Sequence, residues 1–137
     1  MALTSKLLAP FIGASIMASE EGYDDVAEQC ILELSNELQL ADLQKTVVSE
    51  IDKLSAMDDD TFNDHLAKAG EFITDKEAVL LICLDVLAAD GVISVDELSN
   101  YFAFADILGL SDNRASQIFD DFVDEMDDLV IEVEDNN

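Results

Sequence analysis

From Ala78 to Ala89 the chain reads AVLLICLDVLAA, apolar on every side of a helix except at Asp85. A helix with no polar face must be enclosed by other elements, so this segment demands a bundle around it. Nowhere does the sequence sustain an apolar/polar alternation, and one Pro and five Gly are too few to punctuate a series of strands. The expectation is an all-α fold, a compact bundle of about seven helices forming a single domain over residues 1–137.

The helices are placed by their apolar spacing. The first runs from about Leu3 to Ala18, kinked or broken by Pro10. The second spans about Asp25 to Leu38 and carries Val26, Ile31, Leu34 and Leu38. The third, about Asp42 to Leu54, buries Leu43, Val47, Ile51 and Leu54. A fourth opens after Asp58, Asp59 and Asp60, a favourable charge for a helix N-terminus, and carries Phe62, Leu66, Ala69 and Phe72 or Ile73. The apolar helix itself starts at a capping box, Thr74-Asp75-Lys76-Glu77, and the sixth at a second, Ser94-Val95-Asp96-Glu97. That sixth helix ends at Gly109, a suitable left-handed C-cap. The seventh runs from Ser111 to about Glu132, with Ile118, Phe119, Phe122, Val123, Met126, Leu129 and Val130 on one face. Its other face carries Asp120, Asp121, Asp124, Glu125, Asp127 and Asp128, so residues 111–137 form an acidic helix and tail.

Charge narrows the partners. With 32 acidic and 6 basic side chains the net charge is −26, and the pI is near 4.1. Disorder is disfavoured by 50% hydrophobic residues and a mean hydropathy of +0.17. Lys6, Lys45, Lys53, Lys68, Lys76 and Arg114 are scattered singly along the sequence, which argues against direct nucleic-acid binding and against anionic membranes. The natural counterparts are cations or basic protein surfaces. Cys30 and Cys83 lie in apolar runs without CxxC spacing and read as small buried hydrophobes. The start, MALTSKLLAPFIGASIMAS, has one positive charge, a central Pro10, and Ile16 or Met17 where a signal peptide's cleavage site wants a small residue. It is read as a folded helix. No apolar run reaches a membrane-spanning length, so no membrane insertion is expected and the location is read as cytoplasmic.

Residues 11–40 can be laid on residues 81–110 as two related helical hairpins. Each has an apolar helix ending in small residues, then Glu21-Gly22 or Asp90-Gly91, then Glu28 or Glu97 one turn into an amphipathic helix. The second copy, LDVLAADGVISVDELSNYFAFADILGL, resembles the core motif of TerB-like domains, the all-helical family named for tellurite resistance and also found in a DnaJ-like membrane co-chaperone. Asp90-Gly91 and Glu97 carry the resemblance, and Glu21-Gly22 with Glu28 match as a weaker copy. The resemblance implies a helical accessory protein of a stress or membrane-associated response, in a duplicated arrangement of about seven helices.

Asp90 to Glu97 also matches the second half of an EF-hand loop, but the first ligand positions fall on Val86 and Ala88, and in the other copy on Met17 and Ser19. One loop falls short of the roughly six to eight oxygens calcium takes. Convergence of the two copies would bring together Glu21, Glu28, Asp90 and Glu97, with Asp85 one turn before the loop. Such carboxylates suit Ca²⁺, Mg²⁺ or Mn²⁺. The competing reading is helix capping alone, with Glu97 and Glu28 at the third position after Ser94 and Asp25, and glycine supplying a positive φ. Asp85 is assigned either a structural partner, such as a free helix N-terminus, or the acidic site. His65 reads as a boundary histidine. No nucleophile, phosphate-cradling loop or oxyanion arrangement accompanies the carboxylates, so no enzyme is expected. Two functions remain: a TerB-like binding protein acting through a divalent cation or a basic partner, or a phage or mobile-element nucleic-acid mimic. The mimic would present Asp120, Asp121, Asp124, Glu125, Asp127 and Asp128 to the DNA- or RNA-binding surface of a host defence protein. Monomer and homodimer are both open.

Overall fold

The computed structural model describes residues 4–18, 23–89, 91–126 and 129–131. Its seven helices are α1 (Ser5–Ala18), α2 (Asp25–Leu38), α3 (Leu43–Ser55), α4 (Asp59–Glu71), α5 (Lys76–Leu87), α6 (Val95–Ile107) and α7 (Asp112–Glu125), with two short strands, β1 (Val92–Ile93) and β2 (Val130–Ile131). The expected all-α bundle is the fold.

The most enclosed helix is α1. Every residue from Leu8 to Ile16 is buried, because α3, α4, α5 and α6 all pack on it. Thr4 starts the helix, its Oγ1 accepting from the Leu7 N–H at 3.2 Å. Pro10 cannot donate to the Lys6 carbonyl, yet the helix runs through it unbroken; enclosure on several sides holds a geometry that an isolated helix would abandon. The closest approach is to α3 at Gly13, where a Cβ would lie 3.2 Å from the Leu54 Cδ1 and 3.4 Å from the Ile51 Cγ1. The second apolar helix, α5, buries Val79, Leu80, Ile82, Cys83, Leu84, Val86 and Leu87 and packs on α1, α2, α6 and α7. Tyr101 of α6 is fully buried and donates from its hydroxyl to the Ala115 carbonyl of α7 at 2.6 Å.

Several helix ends differ from the sequence reading for identifiable reasons. The N-cap of α2 is Asp24, not Asp25: its Oδ1 accepts from the Ala27 N–H at 2.9 Å. Glu28 therefore falls one position beyond the capping-box register. At α5 the cap is Asp75, which accepts from Ala78 at 3.2 Å; Glu77 cannot complete a box with Thr74 because its carboxylate is held by Arg114, with contacts of 2.8 Å to Nε and 2.6 Å to Nη2. The Ser94–Glu97 box forms as expected, and Gly109 follows α6 at φ 82°. The seventh helix stops at Glu125, well short of Glu132. Its last turns hold Asp120, Asp121, Asp124 and Glu125 with no basic residue, a charge pattern opposed by the helix dipole and by mutual repulsion. Beyond it Val130 and Ile131 pair in parallel with Val92 and Ile93, and the Val130 N–H donates to the Gly91 carbonyl at 2.9 Å.

The proposed repeats share the helix–loop–helix order but not their packing. α6 rests on its own predecessor α5, whereas α2 rests chiefly on α3 and α5.

A branched side chain at position 13 tests the α1–α3 contact. Gly13→Val is expected to lower stability by about 2 kcal/mol through overpacking against Leu54 and Ile51, read as a lower urea midpoint with unchanged slope; a loss under about 0.5 kcal/mol contradicts the close approach.

Candidate functional site

A cleft of about 530 Å³ opens between α2, the C-terminal end of α5 and the C-terminal end of α7. Its rim carries Asp25, Glu33, Glu37 and Asp85, and its floor Val26, Leu34, Ala88, Phe122 and Met126, with no lysine or arginine among the described residues of the walls. The spacing along α2 produces this: positions 25, 26, 29, 30, 33, 34 and 37 repeat at three and four and so line one side of the helix. Val26, which the periodicity placed in the core, instead keeps 41% of its surface exposed here, as Met126 keeps 40%.

Asp85 sits in the cleft wall. It is exposed to solvent on one side, but its partial burial in the wall, and then the neighbouring Glu37 carboxylate, raise its pKa to about 6. No lysine or arginine among the described residues lining the cleft offsets that repulsion. Beside it, the Cys30 thiol donates to the Asp85 carbonyl at 3.7 Å. Burial, followed by the charges of Asp85, Glu33 and Glu37, pushes that thiol up to about 12, so it stays protonated at neutral pH. Cys83 is fully buried and likewise pushed up to about 12, by burial above all. Both cysteines are free, as small apolar side chains would be.

Of the five residues read as a shared cation site, the structure describes Glu28, Asp85 and Glu97. Glu97 is buried, and its Oε1 accepts from the Ser94 N–H at 3.1 Å while its own N–H donates to the Ser94 Oγ at 3.1 Å. Neither Glu28 nor Glu97 lines the cleft that holds Asp85. Glu21 and Asp90 lie outside the described residues. Among the described residues no three His, Cys, Asp or Glu side chains are grouped to hold a metal ion. Gly91 has φ 86°, the positive value that a turn into β1 requires there.

On α7, Asp120, Asp121, Asp124 and Glu125 are exposed, while Ile118 and Phe122 point into the core. Asp127 and Asp128 lie outside the described residues. Since the helix ends at Glu125, the turn-by-turn carboxylate series expected of a nucleic-acid mimic spans only Asp120 and Asp124 within it. No helix among the described residues is long and apolar enough to cross a membrane. The chain matches no family model, no curated protein and no solved structure.

The raised pKa of Asp85 has a signed consequence. Between its ordinary value of 3.8 and about 6, the folded protein holds a proton that the unfolded chain releases, so this group's contribution to stability falls as pH rises through that window and stays low above it. Asp85→Asn is therefore expected to raise Tm at pH 7 relative to the unaltered protein and to make no difference at pH 3.5. The gain is about 1 kcal/mol once solvent screening is allowed for; an equal shift at both pH values refutes the assignment.

Proposed function

We propose that this protein is a non-enzymatic binding protein whose acid-rimmed cleft captures a basic, amphipathic segment of a partner protein. The observation that carries this reading is the pairing of four carboxylates with an exposed apolar floor at Val26 and Met126, in a cleft without a counter-ion on its described walls. An incoming lysine or arginine supplies the missing positive charge, and apolar side chains one helical turn apart cover the floor. Recognition of this kind lays the apolar face of a helix into a groove and uses charge to select it. Each rim charge contributes little by itself in water; most of the affinity comes from removing the floor from solvent, at about 25 cal/mol per Å². The protonated Cys30 suits a site that binds rather than reacts.

The TerB-like resemblance of the segment around Asp90-Gly91 and Glu97 is compatible with an accessory role in a stress response. Under that heading the cleft gives the protein a means of engaging a basic partner. The alternatives, a divalent cation or mimicry of nucleic acid, depend on different residues, and one experiment separates all of them.

Fluorescence anisotropy with a labelled helical peptide of leucine and lysine, its leucines at positions three and four apart, is expected to show binding that tightens from pH 5 to pH 7 as Asp85 ionises. The Glu37→Gln/Asp85→Asn variant should bind about tenfold more weakly, and Asp120→Asn/Asp124→Asn should bind as the parent does. Loss of binding only in the α7 variant, with displacement by a competing DNA-binding protein, would favour mimicry. Displacement of the peptide by Ca²⁺, Mg²⁺ or Mn²⁺ at millimolar concentration would favour a cation site.

A further inference from the structure

At the other side of the bundle, α1, α3 and α4 surround a second cavity of about 860 Å³, within the size range of small-molecule sites. Its walls hold Lys6, Lys45, Lys53 and Lys68, four of the chain's six lysine and arginine side chains. They come from three helices: Lys6 beside Leu7 and Pro10 on α1, Lys45 and Lys53 two turns apart on α3, and Lys68 one turn before Phe72 on α4. In sequence these lysines are far apart; in the fold they share one opening.

That clustering is electrostatically unfavourable by itself. A chain of net charge −26 gains most from cations spread among its acids, whereas these four line one cavity. The two carboxylates on the cavity wall have partners other than these lysines: Asp42 accepts from the buried Ser5 hydroxyl at 2.6 Å, and the buried Glu50 faces the Nε2 of His65, also on the wall, at 3.1 Å. Among the described residues the ion pairs are His65–Glu50 and Arg114–Glu77, and neither includes these lysines. The apolar part of the wall is equally unusual. Phe72 keeps 64% of its surface exposed, although the sequence pattern allowed it a core position, and Leu7, Pro10 and Ala69 continue the same surface.

We infer that this cavity binds a small anionic amphiphile, a molecule with a carboxylate or phosphate head held by the lysine ammoniums and an apolar body lying against Phe72, Leu7 and Pro10. A long polyanion is disfavoured, because beyond the cavity it would run along a surface dominated by carboxylates. Lysine, a compact charge on a flexible stem, suits a head group that need not be gripped in one orientation.

The test is titration of the intact protein with 1-anilinonaphthalene-8-sulfonate, followed by competition with decanoate, decyl phosphate and inorganic phosphate. Saturable fluorescence enhancement at one site is expected. Displacement by decanoate or decyl phosphate identifies which head group is preferred, and inorganic phosphate alone should compete poorly. Lys45→Gln/Lys53→Gln and, as an independent pair, Lys6→Gln/Lys68→Gln should each weaken the dye about tenfold, and Phe72→Ala severalfold. All five side chains are exposed, and unchanged helical circular dichroism and Tm verify the fold. Glu37→Gln/Asp85→Asn should bind the dye as the parent does, which keeps this result separate from that of the acidic cleft. Equal dye affinity in parent and both lysine pairs overturns the inference. So does a dimer of the parent protein that the lysine substitutions dissociate, which would make a second copy's acidic surface the occupant.

Discussion

The structure depends first on removing α1 from water. An uninterrupted buried run from Leu8 to Ile16 cannot be satisfied by one neighbour, so four helices close around it. Burial of this apolar surface is what offsets the repulsion among 32 acidic side chains. Close packing at Gly13 and an unbroken path through Pro10 follow from the same enclosure. The helices that face solvent divide their sides cleanly, with Ala115, Ile118 and Phe122 of α7 turned inward and its acids outward.

Charge is distributed over this scaffold with a polarity that composition alone conceals. The cleft between α2, α5 and α7 gathers carboxylates without cations, while the cavity among α1, α3 and α4 gathers most of the cations. A molecule whose average charge is so negative thus carries two concave surfaces of opposite charge. Each combines charge with exposed apolar surface, Val26 and Met126 in one case and Phe72 in the other.

Much of the fold is legible in local sequence. The span of α2, the Ser94–Glu97 box, the αL glycine after α6 and the lack of extended sheet among the described residues all follow from spacing and capping chemistry. What is not legible depends on contacts between distant residues. Glu77 satisfies the capping-box pattern, yet Arg114 takes its carboxylate from 37 positions away. Val130 and Ile131 fit a helical stripe, but β-branched residues placed beside Val92 and Ile93 pair as strands. The acidic cleft was visible only as the lone Asp85 in an apolar helix; its companions on α2 look like an ordinary solvated face until α5 is laid against them. The lysines were least legible of all. Their scattered spacing along the chain gives no sign that four of them line one cavity, which helices from three parts of the sequence build.

Helix α7 is fastened at both ends. Near its start the Arg114 guanidinium grips Glu77 of α5 through two hydrogen bonds, and past its end β2 is laced to β1. Between those two anchors it lines one side of the acidic cleft through Phe122 and Met126, opposite a helix rich in carboxylates. Held in this way, α7 meets those carboxylates with uncharged side chains alone, so the wall it builds leaves the charge of α2 and Asp85 uncompensated without adding to it.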